Sequence, residues 1–239
     1  MLISPEISKD LQAARRVNHE SCVNFTLDVI RVIADALTLT AAGNMLRPLE
    51  THHKESYYHC LHVGFVSTQI GIKCGYSGDK LLHLAAGALL HDIGKLMIPR
   101  EILSKQGPLS DGERFIMAKH PIDSYELIEN CGEFDSFVKN IALYHHVKSD
   151  GSGYPENFKG FVLANFLEYT QLPQEIRIVT IADIYDALVS PRAYKAQFTN
   201  RHAFNELYLL AKKGQLDRKV VHVLEKMVDG SELLLRTSC

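Results

Sequence analysis

Several features that would indicate a special class of protein are missing from this sequence. Its 239 residues contain no Trp, and its five Cys include no C-x-x-C pair. This spacing excludes a zinc ribbon or a thioredoxin-like motif and favours free thiols in a reducing cytosol. The longest central apolar stretch, 82–90, has about half the length that a bilayer span needs. Because residues 1–10 also lack the regions of a signal peptide, we expect a cytoplasmic protein without a membrane anchor.

A charge excess of either sign is missing too. Lys and Arg total 26 and Asp and Glu total 28, so the net charge is −2. This near-neutral total provides no electrostatic basis for binding a DNA or RNA polymer, and an anion site must be a local cluster of Lys and Arg. The composition is that of a globular protein, with 46% hydrophobic and 23% charged residues. The unusual count is His, with 12 residues.

Helical spacing dominates the chain. Apolar residues recur every three or four positions over most of its length, which predicts an all-α fold. Runs of alternating β-branched residues are missing, and the glycine-rich stretch 147–172 is predicted to be a long loop, a kind of segment that is often functional. Residues 1–50 contain a helix but none of the chemistry described below. We therefore expect an N-terminal helical extension over 1–50 and a catalytic domain over 51–239.

Histidines and carboxylates fall at predicted helix positions in a pattern that indicates a metal site. The set comprises Glu55, His59, His91, Asp92, His120, His145, His146 and Asp183. Each residue alone has an ordinary interpretation, because a single His on an apolar face is usually part of the core and Asp183 could pair with an Arg. Together they lie on five predicted helices, which is how a helical bundle builds a metal site in its core. Imidazole and carboxylate donors without thiolate favour iron or manganese over structural zinc.

Four motifs then occur in the order and spacing of a known family. They read HDIGKLMIP at 91–99, KHP at 119–121, HH…DGSGYP at 145–155 and IADIYDALVSPRAYK at 181–195. Over roughly residues 50–200 the chain resembles the HD-GYP branch of the HD phosphohydrolase superfamily. The resemblance implies an HD-domain helical bundle with a long GYP loop and two or three divalent metal ions. It also implies hydrolysis of cyclic di-GMP to the linear dinucleotide, and it leaves open whether a second cleavage gives GMP.

The resemblance implies the metal ligands one by one. His59, His91, Asp92, His120, His145, His146 and Asp183 match the family's ligands. Asp92 is the expected bridge between two metals, and Glu55 stands where family members that bind a third metal have a Glu. His62 lies one turn from His59 and competes with it as a ligand. His59 is preferred because Glu55 precedes it by four residues and Val63 matches the pattern.

The resemblance also implies the residues that act on the substrate. Asp92 and Lys95 are the expected catalytic residues, and Lys95, Arg192 and Lys195 match positions that contact the substrate phosphates. Tyr154 belongs to the GYP loop beside the substrate. The chain departs from the family pattern in two places, with Val147 where Glu is usual and Ser124 where Gly is usual. Neither change affects a matched ligand, so we expect an active site.

Three functions stay open at this point. The first is a cyclic di-GMP phosphodiesterase, and the second is a catalytically silent receptor for the dinucleotide. The third is a phosphohydrolase for a mixed GMP/AMP cyclic dinucleotide or a mononucleotide. The complete ligand set disfavours the receptor, and the GYP loop disfavours the mononucleotide enzyme but does not separate the cyclic dinucleotides. A signalling partner protein at the GYP loop and a homodimer are further expectations.

Overall fold

A computed structural model describes residues 27–155, 157–158, 161–162, 172–190 and 198–236. The helices are α1 Leu27–Leu39, α2 Ala42–His52, α3 Lys54–Lys73, α4 Gly78–Leu90, α5 Arg100–Leu103, α6 Asp111–Met117, α7 His120–Cys131, α8 Ser136–Tyr144, α9 Gln174–Val189, α10 Asn200–Lys212 and α11 Arg218–Arg236. A 3₁₀ helix, Ile93–Met97, follows α4. The fold is almost entirely helical, as the apolar spacing predicts.

A short ribbon is the exception within the described residues. Strands β1 Asn157–Phe158 and β2 Phe161–Val162 pair antiparallel, with Phe158 opposite Phe161. Both strands fall inside the stretch predicted to be a long loop. Strands of two residues carry too few alternating positions to be recognised from the sequence.

Helices α3 and α4 form the centre of the molecule and pack against each other. One apolar core joins them to α1 and α2 and includes Ile33, Leu46 and Leu89, while another joins them to α8, α9, α10 and α11. Helix α3 is buried on most of its surface from Ser56 to Gly71. A helix surrounded on nearly all sides needs apolar or small residues all round rather than in a single stripe.

The first two helices belong to the core that they share with α3 and α4. Val29, Ile33 and Leu49 are each 0% exposed there. The domain boundary expected at residue 50 falls inside α2, which runs from Ala42 to His52. The division of the chain into 1–50 and 51–239 stays a prediction, since residues 1–26 lie outside the described part.

Helix ends follow the local signals of the sequence. Helix α6 begins at a capping box, in which the Ser110 hydroxyl accepts from the backbone nitrogen of Glu113 at 3.3 Å and the Glu113 carboxylate accepts from the backbone nitrogen of Ser110 at 2.7 Å. Helix α9 begins directly after Pro173, a residue that favours a helix start. These ends matter because most of the candidate ligands lie at helix termini.

No single helix among the described residues is long and apolar enough to cross a membrane. The segments Leu27–Thr38 and Ala42–His52 pass that test of length and composition only as a pair, bent by 90° between them.

Candidate metal centre

Five segments of the fold converge on one buried region. His91 and Asp92 lie between the end of α4 and the 3₁₀ helix, and His120 is the first residue of α7. The other candidate ligands come from the second turn of α3, the turn after α8 and the middle of α9. The structure brings together seven of the eight residues expected to be ligands, which are His59, His91, Asp92, His120, His145, His146 and Asp183.

The seven residues form two adjacent clusters. We call the first the Asp92 cluster; it consists of Asp92, His120, His145 and His146. The second, the Asp183 cluster, consists of His59, His91 and Asp183. Within each cluster, one donor atom from every residue lies within 4.8 Å of all the others. Burial is deep, since His91 and His145 are 0% exposed and Asp92 is 1% exposed.

The carboxylate of Asp92 faces both clusters. Its Oδ1 lies 3.1 Å from Nε2 of His120 and 3.8 Å from Nε2 of His145. Its Oδ2 lies 3.4 Å from Nε2 of His91 and 3.5 Å from Nε2 of His59. One oxygen is therefore directed to each cluster, which is the arrangement that a bridging carboxylate requires.

Backbone carbonyls orient three of the histidine rings. Nδ1 of His91, His120 and His145 each donates to the carbonyl oxygen three residues earlier, at 2.7, 2.7 and 2.8 Å. A carbonyl oxygen only accepts hydrogen bonds, so Nδ1 carries the hydrogen and Nε2 carries the lone pair. Each Nε2 faces Asp92, so all three rings present a metal-binding nitrogen to the site.

His59 is oriented by a side chain instead. Its Nδ1 donates to Oδ2 of Asp186 at 2.6 Å, and its Nε2 lies 3.0 Å from Oδ1 of Asp183. His62, the competing ligand, directs its Nδ1 to the other oxygen of Asp186 and belongs to neither cluster. The geometry thus favours His59 over His62, as the sequence pattern does.

Charges around Asp92 keep it ionised. Burial by itself would raise the pKa of this carboxyl, but Lys95, His91 and His120 hold the pKa well below its usual value. The Lys95 ammonium donates to Oδ2 of Asp92. Burial opposes the charge of Lys95, but Asp92 raises the pKa of that amine above its ordinary value. Lys95 therefore keeps its positive charge beside the carboxylate that faces both clusters.

The two clusters differ in their effect on histidine. Burial lowers the pKa of His146 to about 3, with His120 acting in the same direction and Asp183 against it. Burial would also lower the pKa of His59, but hydrogen bonds with Asp183 and Asp186 raise it to about 9. The pKa values of His146 and His59 are thus shifted in opposite directions.

The donor atoms fit bound metal ions. Nε2 of His91 is buried and has no hydrogen-bond partner among the described residues. Nε2 of His120 and Nε2 of His145 lie 3.3 Å apart, although both carry lone pairs. Burial, reinforced by His146 and His91, holds the pKa of His145 well below its usual value, so a proton between these nitrogens is disfavoured. A metal ion satisfies such a group of nitrogens and carboxylate oxygens.

The start of the GYP loop, residues 147–172, folds back onto this site. Val147 pairs with Gly153 in an isolated antiparallel bridge, and the nitrogen of Lys148 donates to Ser152 at 2.8 Å. Gly153 has a φ of 110°, and a Cβ there would collide with the carbonyl oxygen of His146. Val147, which stands where the family usually has Glu, is 0% exposed, so its side chain lies in the core rather than at the metal site.

Tyr154 follows this turn and lies against the Asp92 cluster. The centre of its ring is 4.6 Å from that of His146 and 6.2 Å from that of His120. Burial, together with Asp92 and Asp183, raises the pKa of its hydroxyl, which stays protonated at neutral pH. The expected substrate-side residue is thus next to the candidate ligands.

Comparison with known protein families agrees with this geometry. The sequence profile described as "HD domain" matches residues 44–220, which is most of the chain. The chain belongs to the HD domain family. This confirms the family resemblance that the HD, HH and GYP motifs indicate.

Two curated relatives extend the comparison of the HD domain. The "Cyclic di-GMP phosphodiesterase response regulator RpfG" of Xanthomonas campestris pv. campestris (strain 8004) is 38% identical over 156 residues, which cover 64% of this chain and 37% of that protein. The "3'3'-cGAMP-specific phosphodiesterase 2" of Vibrio cholerae serotype O1 is 32% identical over 183 residues, covering 76% of this chain and 33% of that protein. The chain therefore spans about a third of the length of either relative.

A solved structure shares the fold of this HD domain. The HDG"Y"P protein Bd1817 from Bdellovibrio bacteriovorus aligns with a TM-score of 0.59 at 17% identity, covering 90% of this chain and 78% of that chain. At this identity the likeness is one of fold, and it confirms the expected HD-domain bundle.

The second departure from the family pattern has a clear role in this HD domain. The Ser124 hydroxyl accepts from the backbone nitrogen of Gly94 at 2.8 Å. A Cβ at position 94 would collide with the carbonyl oxygen of His120 and lie 2.5 Å from the nitrogen of Ser124. The 3₁₀ helix therefore packs directly on the start of α7, which brings Asp92 close to His120.

One of the eight expected ligands, Glu55, lies in neither cluster. Glu55 is exposed, one turn before His59 on α3, and contributes to neither group of donors. Arg192 and Lys195 lie outside the described residues, so their expected phosphate contacts stay predictions. The sequence alone gives Asp186 only the ordinary interpretation of a capping or pairing residue, although its D-x-x-D spacing with Asp183 places both residues on one helix face.

Proposed function

We propose that this chain is a metal-dependent phosphodiesterase that hydrolyses cyclic di-GMP to the linear dinucleotide, with a second cleavage to GMP as an open question for the product assay. The observation that carries the proposal is the position of Asp92, which directs one oxygen to each cluster while Lys95 contacts Oδ2. The name of the Xanthomonas relative supports the same substrate.

The proposed ligand set is the two clusters. His120, His145 and His146 would hold one ion and His59, His91 and Asp183 another, with Asp92 shared between them. Imidazole and carboxylate donors suit iron or manganese. Cys60 belongs to neither group of donor atoms.

Charge complementarity explains how such a site would act on a phosphodiester. Divalent ions, when bound, would supply Lewis-acid chemistry and lower the pKa of a water molecule. Lys95 adds a positive charge that faces the same region and is suited to a phosphoryl oxygen on which negative charge develops. Tyr154 borders the site beside His146 and would contact the substrate. Arg192 and Lys195 are proposed as phosphate contacts on the basis of the motif alone.

A third metal at Glu55 is also part of the proposal. The support is its spacing, because a Glu one turn before His59 lies on the same face of α3. Its side chain is exposed and outside both clusters, so a ligand role requires that it reach an ion at the rim. The alternative is a Glu that hydrogen-bonds a ligand without binding metal itself.

The mixed cyclic dinucleotide is the second candidate substrate. The name of the Vibrio relative, which matches 76% of this chain, supports it. The two substrates share the phosphodiester ring and differ in one base, so the metal ligands do not distinguish them. The substrate preference must come from residues that contact the bases.

Turnover by protein purified without air or chelator tests the proposal. The metals are counted per chain, and cyclic di-GMP and 3'3'-cGAMP are supplied in parallel while linear dinucleotide and GMP are measured. We expect cyclic di-GMP to be cleaved, activity to be lost with chelator, and activity to return with Mn²⁺ or Fe²⁺. Tight binding without cleavage by metal-loaded protein would indicate the silent receptor. Faster cleavage of 3'3'-cGAMP would assign the mixed substrate.

A cytoplasmic location, a signalling partner protein at the GYP loop and a homodimer complete the proposal. They rest on the sequence alone. Size measurements in solution, with and without cyclic di-GMP, test the homodimer directly.

A further inference from the structure

Asp186 is a buried carboxylate next to the Asp183 cluster, and its hydrogen bonds go to residues outside the Asp92 cluster. Asp186 is 2% exposed and lies on α9 one turn after Asp183. Its Oδ2 accepts from Nδ1 of His59 at 2.6 Å. Its Oδ1 accepts from Nδ1 of His62 and, at 2.6 Å, from the hydroxyl of Ser190. Three donors therefore converge on one carboxylate.

We propose that Asp186 is a positioning residue that holds His59 in the orientation and tautomer needed to bind metal. This inference rests on the metal site of the proposed function. Because a carboxylate only accepts hydrogen bonds, Nδ1 of His59 keeps its hydrogen on Asp186, so Nε2 is the nitrogen that gives up its proton and offers a lone pair when a metal ion binds. That nitrogen lies 3.0 Å from Oδ1 of Asp183 and 3.5 Å from Oδ2 of Asp92.

The surroundings of Nε2 distinguish this arrangement from an ordinary buried ion pair. A nitrogen lone pair and two carboxylate oxygens form a set of donors that a cation would satisfy. Asp186 lies behind the ring, on the opposite nitrogen, so it orients His59 without occupying that place. A carboxylate in this position also increases the basicity of the ligating nitrogen, which strengthens metal binding.

Asp186 is itself held in place by residues of two helices. His62 lies on α3 one turn after His59, and Ser190 directly follows α9. Burial would raise the pKa of the Asp186 carboxyl, but hydrogen bonds from His59 and His62 hold it well below the usual range. The group therefore stays a carboxylate and keeps all three donors satisfied.

The proposal predicts an effect that is confined to one ion. In the Asp92 cluster, His120 and His145 donate to backbone carbonyls, which no substitution at Asp186 changes. In the Asp183 cluster, His59 depends on the side chain of Asp186. A purely structural role for Asp186 would instead weaken both ions alike, through the stability of the fold.

The experiment measures Mn²⁺ binding by titration calorimetry and thermal unfolding for the full chain and for Asp186→Asn. Asn offers one acceptor oxygen, so it serves only one of the two histidines, and it carries no charge. We expect one of the two ions to bind about 10- to 100-fold more weakly and the other to keep its affinity. Asp217→Asn is the matched control, because Asp217 is an ion-paired Asp whose partner is Arg177 rather than a ligand. It should leave both affinities unchanged.

Equal affinities of Asp186→Asn and the unaltered chain for both ions would overturn the proposal, and so would an equal loss at both sites. If Asp186→Asn does not unfold cooperatively, Ser190→Ala replaces it, since it removes one donor and leaves the carboxylate. That variant should weaken one ion by a few-fold, and unchanged binding would again reject the inference. Unaltered protein that binds no metal would refute the proposed metal site itself, whereas binding of two ions without hydrolysis would affect only the proposed substrate.

Discussion

His59 of the Asp183 cluster is held by a different means from His120 and His145 of the Asp92 cluster, whereas His91 is held by a backbone carbonyl as those two are. In the Asp92 cluster, His120 and His145 bond to backbone carbonyls only three residues away. In the Asp183 cluster, His59 bonds to the side chain of Asp186, which is 127 residues away. The first arrangement is built into a helix end, whereas the second exists only when α3 and α9 have packed together. A single substitution can therefore remove the support of His59 but not that of His120 or His145.

The electrostatic surroundings differ in the same direction. The Asp92 cluster contains three imidazoles and one carboxylate, and burial lowers the pKa of His146 to about 3. His59 is only partly exposed, and although burial would lower its pKa, bonds to Asp183 and Asp186 raise that pKa to about 9. The opposite shifts follow from the number of carboxylates at each ring, because two carboxylates bond to His59.

Removal of the residue that both clusters share should have the largest effect. Asp92→Asn replaces the carboxylate whose two oxygens face different clusters. We expect the metal content to fall for both ions and turnover to fall to the background rate. Asp79→Asn is the control, because Asp79 is an exposed Asp in the first turn of α4. Full metal occupancy in Asp92→Asn would show that Asp92 is not the bridge.

Substitution of a ligand that belongs to a single cluster should remove one metal ion. His146→Gln alters only the Asp92 cluster and Asp183→Asn only the Asp183 cluster. We expect each variant to retain one metal per chain, measured by elemental analysis after gel filtration. Loss of both ions from either variant would mean that the clusters bind metal as one unit.

Loss of the cation beside Asp92 should separate metal binding from catalysis. Lys95→Met keeps the length of the side chain but removes its ammonium, which is not a metal donor. We expect an unchanged metal content and a kcat lower by about 100-fold, because a charge that stabilises the transition state is gone. Lys80→Met, at an exposed position on α4, is the control. Metal loss in Lys95→Met would contradict the assignment of Lys95 to the substrate.

A substitution at the close contact between the 3₁₀ helix and α7 should have a smaller effect, on the stability of the fold. A Cβ at position 94 would collide with the backbone of His120, so Gly94→Ala should destabilise the fold by about 1–3 kcal/mol. Gly112 on α6 has no neighbouring atom within 4 Å of an added Cβ, and Gly112→Ala should stabilise the protein by about 0.5–1 kcal/mol. Urea unfolding of both variants measures the difference. Equal stabilities would show that the 3₁₀ helix does not need this close contact.

Replacement of Glu55 should have the smallest effect and would show whether the chain binds two or three ions. If Glu55 binds a third metal, Glu55→Gln should lower the count from three per chain to two. The exposed position of Glu55 predicts that the other two ions keep their affinity. A count of two in both proteins, with only a modest loss of rate, would place Glu55 outside the ligand set.

Much of this HD domain could be predicted from the sequence. The helical fold follows from apolar spacing, and helix starts such as Ser110 with Glu113 follow from local hydrogen bonds. The pattern of His and Asp residues and the family motifs predict seven ligands that the structure brings together. These signals are readable because they involve residues a few positions apart or strings that the family shares.

Only the tertiary structure decided the remaining features. It determined which nitrogen of each histidine faces the site, that Asp186 holds both His59 and His62, and that the hydroxyl of Ser124 satisfies the nitrogen of Gly94. It also left Glu55 exposed, although its spacing from His59 on α3 favours a ligand role. The physical reason is that a helical period specifies the face on which a side chain lies. Its hydrogen-bond partner, up to 127 residues distant, depends on how the helices pack.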